Sequence, residues 1–169
     1  MEFDYSIRVY KQYFNFACSH FLVFENGTRE PLHGHNYRVQ VKGEAPKLTK
    51  DLVFDFLDIK PIIRKICNEL DHKLILPTEN PYLKITPEEN NFTVYCKDKS
   101  FFSFPKADVL LLPITNTSAE RLAIFICHEL RKAIFEEYQF SFALLEVEVE
   151  ETPGQSAVFQ YKDKESKNS

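Results

Sequence analysis

The apolar positions of the chain fall into alternating runs and runs at helical spacing. Phe3, Tyr5, Ile7 and Val9 alternate with polar neighbours, and the apolar parity then moves to Phe14, Phe16 and Cys18. A single long strand over residues 3–20, with a bulge near Lys11 and Gln12 to absorb the shift, accounts for both sets. A loop over residues 21–32 follows, and alternation resumes in a second strand from His33 to about Val41. Residues 43–51 read as a turn-rich connection. Ile59, Ile62, Ile63, Ile66, Cys67 and Leu70 then recur at the spacing of one helix face. They predict a helix capped by Asp55 or Asp58, with Pro61 in its first turn. Leu122, Ala123, Ile126, Cys127, Leu130 and Ile134 repeat the pattern in a second helix, opened by Thr117-Ser118-Ala119-Glu120 in the form of a capping box. Leu145, Val147 and Val149 alternate with glutamates as a third strand, and after Pro153-Gly154 a fourth runs from Ala157 to about Tyr161.

These elements predict an α+β domain over residues 1–161. It has a four-stranded antiparallel sheet, two helices on one face, an accessory hairpin at about 91–104 between the helices, and a charged, disordered tail over 162–169. The two sheet edges are long and rich in β-branched and aromatic residues, and such edges are normally paired or covered. Closure by neighbouring copies of the chain is the expected solution, so a homo-oligomer is predicted.

Composition narrows the class without changing this outline. With 169 residues, 44% hydrophobic and 27% charged, the chain can bury a real core. A net charge of −4 argues against a general nucleic-acid binder, although a local basic pocket for a small anion remains compatible with it. No run approaches the ~18 apolar residues of a membrane span. Met1-Glu2-Phe3-Asp4 does not read as a signal peptide. Cys18, Cys67, Cys96 and Cys127 are scattered among apolar residues and read as buried thiols in a reducing compartment, so a cytoplasmic location is expected.

The chemistry gathers around the second strand. His33, His35, Tyr37, Val39 and Val41 share one face, and Gly34 between the two histidines leaves room for close backbone approach. Phe14, Phe16, Cys18 and His20 also share a face, so antiparallel pairing would set His20 beside His33 and His35. Three imidazoles with a fourth position open are the ligand set of a catalytic zinc ion. Three unpaired imidazoles facing an apolar layer would otherwise be costly. Glu151 continues the inward parity of Leu145, Val147 and Val149, and suits the anchoring of a polar heterocycle or an inward salt bridge. Asp71-His72 ends the first helix and could serve as orienter and acid/base, or simply complement the helix dipole. Glu30 lies three residues before His33 and could reach a metal-bound substrate as a base, or be a solvated loop carboxylate. Glu120 is accounted for as a cap and His128 as structural.

Assembled in order, Phe16-Ala17-Cys18-Ser19-His20, Leu32-His33-Gly34-His35-Asn36-Tyr37, Val53-Phe54-Asp55-Phe56, Leu70-Asp71-His72, Thr117-Ser118-Ala119-Glu120 and Val149-Glu150-Glu151-Thr152 resemble the 6-pyruvoyl-tetrahydropterin synthase family. The resemblance implies the tunnelling fold, in which three subunits close a twelve-stranded barrel and two trimers stack as a homohexamer. It implies zinc on His20, His33 and His35, the pterin ring on Glu151 at a site between subunits, and Asp71 with His72 as the catalytic acid/base pair. The substrate it implies is 7,8-dihydroneopterin triphosphate or a close relative. Typical members carry a catalytic cysteine four residues before the first motif histidine, where this chain has Arg29. Glu30-Pro31-Leu32-His33, together with the accessory hairpin, resembles instead a subtype in which glutamate stands in for the cysteine. That subtype cleaves the side chain to give 6-hydroxymethyl-7,8-dihydropterin, a folate precursor. The alternatives are elimination of triphosphate alone to 6-pyruvoyl-tetrahydropterin, the 6-carboxy-tetrahydropterin branch, and a non-catalytic protein that binds zinc and pterin. Arg29, Arg38 and Lys42 are the candidates for the phosphates.

Overall fold

The computed structural model describes residues 5–163. Strands β1 (Tyr5–Val9), β2 (Asn15–His20) and β3 (His33–Ala45) open the chain. Both β1 and β2 pair antiparallel with β3, in registers Val9↔Val41 and Asn15↔Arg38. The expected single strand with a bulge is therefore two strands separated by a turn, in which the Phe14 N–H donates to the Lys11 carbonyl at 3.0 Å. The turn carries the parity shift and delivers Phe14 and Phe16 to the buried face. Phe3 lies outside the described residues. Strand β3 also runs further than expected, through Gly43. A Cβ there would lie 2.4–2.9 Å from the Phe142 ring, so this glycine gives room to an aromatic ring and does not begin a turn.

Helix α1 (Phe56–Leu70) is capped by Asp55, whose side chain accepts from the Leu57 N–H at 2.8 Å. Pro61 sits beyond the first turn, not within it. Its missing N–H leaves the Leu57 carbonyl without a helical donor, at a residue that is itself exposed. Beyond α1 the region without a clear pattern is well structured. It holds β4 (Lys73–Pro77), β5 (Leu83–Pro87), β6 (Asn91–Cys96), β7 (Phe101–Pro105) and β8 (Val109–Leu112). The accessory hairpin is present as β6 and β7, and β5 makes it a three-stranded sheet. Helix α2 (Ala119–Tyr138) starts one residue later than a capping box on Thr117 predicts. Ser118 is the cap, accepting from the Arg121 N–H at 3.3 Å, and Thr117 is drawn inward instead. β9 (Leu144–Thr152) and β10 (Gln155–Lys162) close the chain. Lys162, expected in a disordered tail, ends β10, and the Asp163 N–H donates to the Ala143 carbonyl; residues 164–169 lie outside the described residues.

The main sheet runs β10-β9-β3-β2-β4-β8, with β1 also on β3. The expected antiparallel strands and the two helices on one face are all present. The short parallel strands β4 and β8, not expected from the sequence, extend the sheet beyond β2. Leu74, Ile75 and Leu76 are buried as a continuous apolar run, which carries no alternation to mark a strand.

Two cores result. The larger lies between the sheet and both helices, and joins Phe14, Phe16, Tyr37, Val39 and Val149 to the stripes of α1 and α2. The smaller joins Phe21, Val23, Leu74, Leu76 and Val109 to Val94 and Cys96 of the accessory sheet, with Phe102 packed against it. The loop over 21–32 thus runs between the main sheet and the accessory one. Among the described residues no helix is long and apolar enough to cross a membrane. All four cysteines are buried free thiols.

Candidate active site

The β2–β3 register sets His20 directly opposite His33 and Cys18 opposite His35. Gly34 makes this possible, because a Cβ there would stand 2.8 Å from the Cys18 carbonyl oxygen. One ring nitrogen from each of His20, His33 and His35 lies within 4.8 Å of the others. Backbone carbonyls, which can only accept, fix two of the tautomers. His20 Nδ1 donates to Thr117 O at 2.9 Å and His33 Nδ1 donates to Pro31 O at 2.7 Å. Each ring is left with a bare Nε2 lone pair. Burial, with neighbouring His33 and His35 adding to it, lowers the His20 pKa against the opposing Thr117 bond, which favours the neutral ligand form. His35 Nε2 is buried with no hydrogen-bond partner; Glu151 Oε1 at 3.5 Å is near it but does not satisfy it. An orphaned buried nitrogen beside two oriented imidazoles fits a divalent ion such as zinc, and the carbonyls behind the rings supply the outer partners that such ligands require.

Two carboxylates flank the histidines. Glu151 approaches His35, and its Oε2 accepts from the Tyr37 hydroxyl at 3.4 Å. Tyr37 is fully buried, and its hydroxyl also lies 3.3 Å from His20 Nε2. Burial, then the charges of its neighbours, pushes the Tyr37 phenol well above the ordinary range, so it remains a neutral donor. Tyr37 shares the histidine face by parity, the same signal that selects Glu151, and the contact between the two gives it a role that parity alone does not assign. A cleft of about 240 Å³ opens beside Glu151, lined also by Leu22, Ser118, Ala119 and Glu120. On the other side Glu30 Oε2 accepts from the Leu22 N–H at 3.1 Å and stands 3.9 Å from His33 Nε2. The thiol nearest the motif, Cys18, is pushed up to about 12 by burial and then by Glu151 and Asp71, so it offers no thiolate.

Asp71 and His72 are elsewhere. Asp71 caps the C-terminal end of α1, and its Oδ1 accepts from the Ala17 N–H at 2.7 Å. Its Oδ2 meets His72 Nδ1 at 2.8 Å. Burial raises the Asp71 pKa, but the Ala17 N–H and His72 outweigh it and hold the carboxyl below the usual range. His72 is left-handed at φ 57°, a conformation unusual for a non-glycine residue, and its side chain is 84% exposed. Neither residue makes a hydrogen bond, ion pair or ring contact with the three histidines among the described residues. A cleft of about 430 Å³ beside His72 is lined by Ala17, Ser19, Gly34 and Asn36, and also by Cys18 and His35. His72 is thus an exposed imidazole oriented by Asp71, with no direct contact to the three histidines of its own chain.

Of the three phosphate candidates, Arg29 is engaged by the accessory sheet and Lys42 by Glu44. Arg38 is exposed on β3, opposite Glu150 of β9.

Antiparallel strands, two helices on one face and three convergent imidazoles define a tunnelling-fold protein with a three-histidine centre. The chain belongs to the 6-pyruvoyl tetrahydropterin synthase family, whose family model matches residues 8–162. It is similar to a crystal structure of 6-pyruvoyl tetrahydropterin synthase from Plasmodium vivax, with TM-score 0.89 and 35% identity over 96% of this chain and 100% of that one. A Plasmodium vivax variant described as a catalytic-residue mutant, with glutamate replaced by alanine, is as similar, at TM-score 0.89 and 34% identity over 96% and 100% of the two chains. A relative from Methanocaldococcus jannaschii described as a putative 6-carboxy-5,6,7,8-tetrahydropterin synthase is 38% identical over 148 residues, covering 86% of this chain and 88% of the relative.

Proposed function

We propose that the chain is a zinc-dependent lyase that converts 7,8-dihydroneopterin triphosphate to 6-hydroxymethyl-7,8-dihydropterin, a folate precursor. The observation that carries this reading is the Glu30 carboxylate beside His33, where the typical family cysteine is absent. The catalytic glutamate named for the Plasmodium vivax protein supports it. His20, His33 and His35 hold the metal. Zinc held there acts as a Lewis acid that polarises a side-chain oxygen and lowers its pKa.

Glu151 binds the pterin ring through its carboxylate, with the Tyr37 hydroxyl holding that carboxylate in place. Glu30 takes the proton of the side-chain 2′-hydroxyl. As the C2′ carbonyl forms, the C1′–C2′ bond breaks and its electron pair moves into the ring imine. Reprotonation at C1′ gives the hydroxymethyl pterin, and the triphosphate leaves on a two-carbon aldehyde. Asp71 orients His72 through Nδ1, leaving Nε2 to give or take a proton. Because His72 is exposed and touches none of the three histidines of its own chain, it serves a centre completed by a neighbouring copy, within a homohexamer built as a dimer of trimers.

A second reading, formation of a 6-carboxy product at the same centre, is favoured by the Methanocaldococcus jannaschii relative. Mass spectrometry of the product formed from 7,8-dihydroneopterin triphosphate by zinc-loaded protein separates the readings. A hydroxymethyl pterin is expected. A 6-carboxy or 6-pyruvoyl product would move the chemistry away from Glu30, and binding without any product would make the chain a pterin-binding protein.

A further inference from the structure

Arg29 and Glu30 point their side chains to opposite sides of the loop. Glu30 reaches the histidines, whereas Arg29 enters the accessory sheet. Its Nε donates to Ser100 Oγ at 2.7 Å and lies 3.4 Å from Asp98 Oδ2. Its guanidinium carbon stands 4.6 Å from the Phe102 ring centroid and 5.5 Å from that of Phe21. Its Nη1 returns to donate to the backbone carbonyl of Glu30 at 2.9 Å. One planar cation thus bridges the accessory sheet and the peptide unit of Glu30, and it is only 17% exposed.

The accessory sheet and the turns that flank its strands hold the loop elsewhere. The Tyr82 hydroxyl donates to Glu25 O at 2.7 Å, and Phe21 stacks on Phe102 at 5.5 Å. Lys97 packs so closely on Gly27 that a Cβ there would come within 2.2 Å of its side chain. Gly27 is also left-handed, at φ 84°. Within the loop, Glu30 N donates to Leu22 O at 3.0 Å while the Glu30 carboxylate accepts from Leu22 N. The position of that carboxylate therefore depends on where the 22–30 backbone is held.

We propose that the accessory sheet is the positioning element of Glu30, acting through Arg29 as a positioning residue clasped by Asp98, Ser100 and Phe102. This rests on Glu30 being the base. The sheet touches neither the histidines nor Glu151 through these contacts and meets the loop at Glu25, Gly27 and Arg29, so loosening it displaces Glu30 more than the strand-held His20, His35 and Glu151. A planar fork is needed, because one group must meet Ser100, Asp98 and the Glu30 carbonyl while lying against an aromatic ring.

The test is a kinetic double-mutant cycle on the full-length zinc-loaded protein. Arg29→Ala is expected to lower kcat about ten-fold or more, as misplacement of a reacting group does, with KM and zinc content unchanged. Arg29→Lys should recover only part of the loss, and Ser100→Ala, a milder change, should lower kcat by about two- to five-fold. Added to Glu30→Gln, Arg29→Ala should have no further effect, since both act through one carboxylate. Hydrogen exchange at the Leu22 and Glu30 amides should quicken in Arg29→Ala, a readout independent of turnover. An equal loss of kcat in the Glu30→Gln background, unchanged kcat in both Arg29→Ala and Ser100→Ala, or loss of zinc in step with kcat would overturn the positioning role. Full turnover by Glu30→Gln alone would instead sink the base assignment beneath it.

Discussion

The two carboxylates beside the histidines are held by different means. Glu151 stands on β9, where the β3–β9 register and side-chain alternation aim it inward, and the buried Tyr37 on the neighbouring strand meets it. Glu30 stands on a loop, where its backbone is fixed by Leu22, by Arg29 and through Arg29 by a second sheet. The first placement is written into backbone hydrogen bonding and tolerates changes at a distance. The second is assembled from side-chain contacts and is open to change by any of them. A family that varies its reaction on one fold has more freedom at the loop than at the strand.

The strongest way to break the comparison is to remove what both sides share. His35→Ala takes away the orphaned buried nitrogen and should bring bound zinc from about one per chain to well below it, as metal analysis of native protein would show, with turnover lost. Glu30→Gln should cost roughly 10²–10⁴ in kcat while pterin binding, followed by fluorescence titration, is retained. A variant that turned over normally would remove the loop side from the chemistry. Glu151→Gln should do the converse, weakening pterin binding by about 1.5–3 kcal/mol, the value of a hydrogen bond to a charged group, with zinc unchanged. Tyr37→Phe is the mildest change at the strand side. It should cost about 0.5–1.5 kcal/mol in pterin binding, and a larger effect on zinc than on pterin would place Tyr37 with the metal and not with Glu151.

The Asp71–His72 corner offers a pH test outside the centre. The folded Asp71 pKa is depressed, so its contribution is present above the ordinary carboxylate range and fades as pH falls through the folded value. Asp71→Asn should therefore lower the melting temperature at pH 7, and the gap between the two proteins should narrow as pH falls below the ordinary carboxylate range. The effect is modest because the side chain is about one-third exposed, at 35%. A gap that stayed constant with pH would assign the loss to packing.

The sequence by itself determined the elements whose residues alternate or repeat. Both helices follow from apolar residues at helical spacing, and strands β3, β9 and β10, the β6–β7 hairpin and the meeting of His20 with His33 and His35 from alternation, because antiparallel pairing lets one face be read from residue spacing. Glu151 was legible for the same reason. The parallel strands β4 and β8 were not, since a strand buried on both faces shows no alternation, and the turn over residues 10–14 read as a bulge because either absorbs one parity shift. Only the tertiary structure decided the rest. It engaged Arg29 with the accessory sheet, gave Tyr37 its partner, moved the cap to Ser118 so that Thr117 O could meet His20, and left His72 exposed beside Asp71. Each of these depends on contacts between residues far apart in the chain, and no local periodicity encodes such a contact.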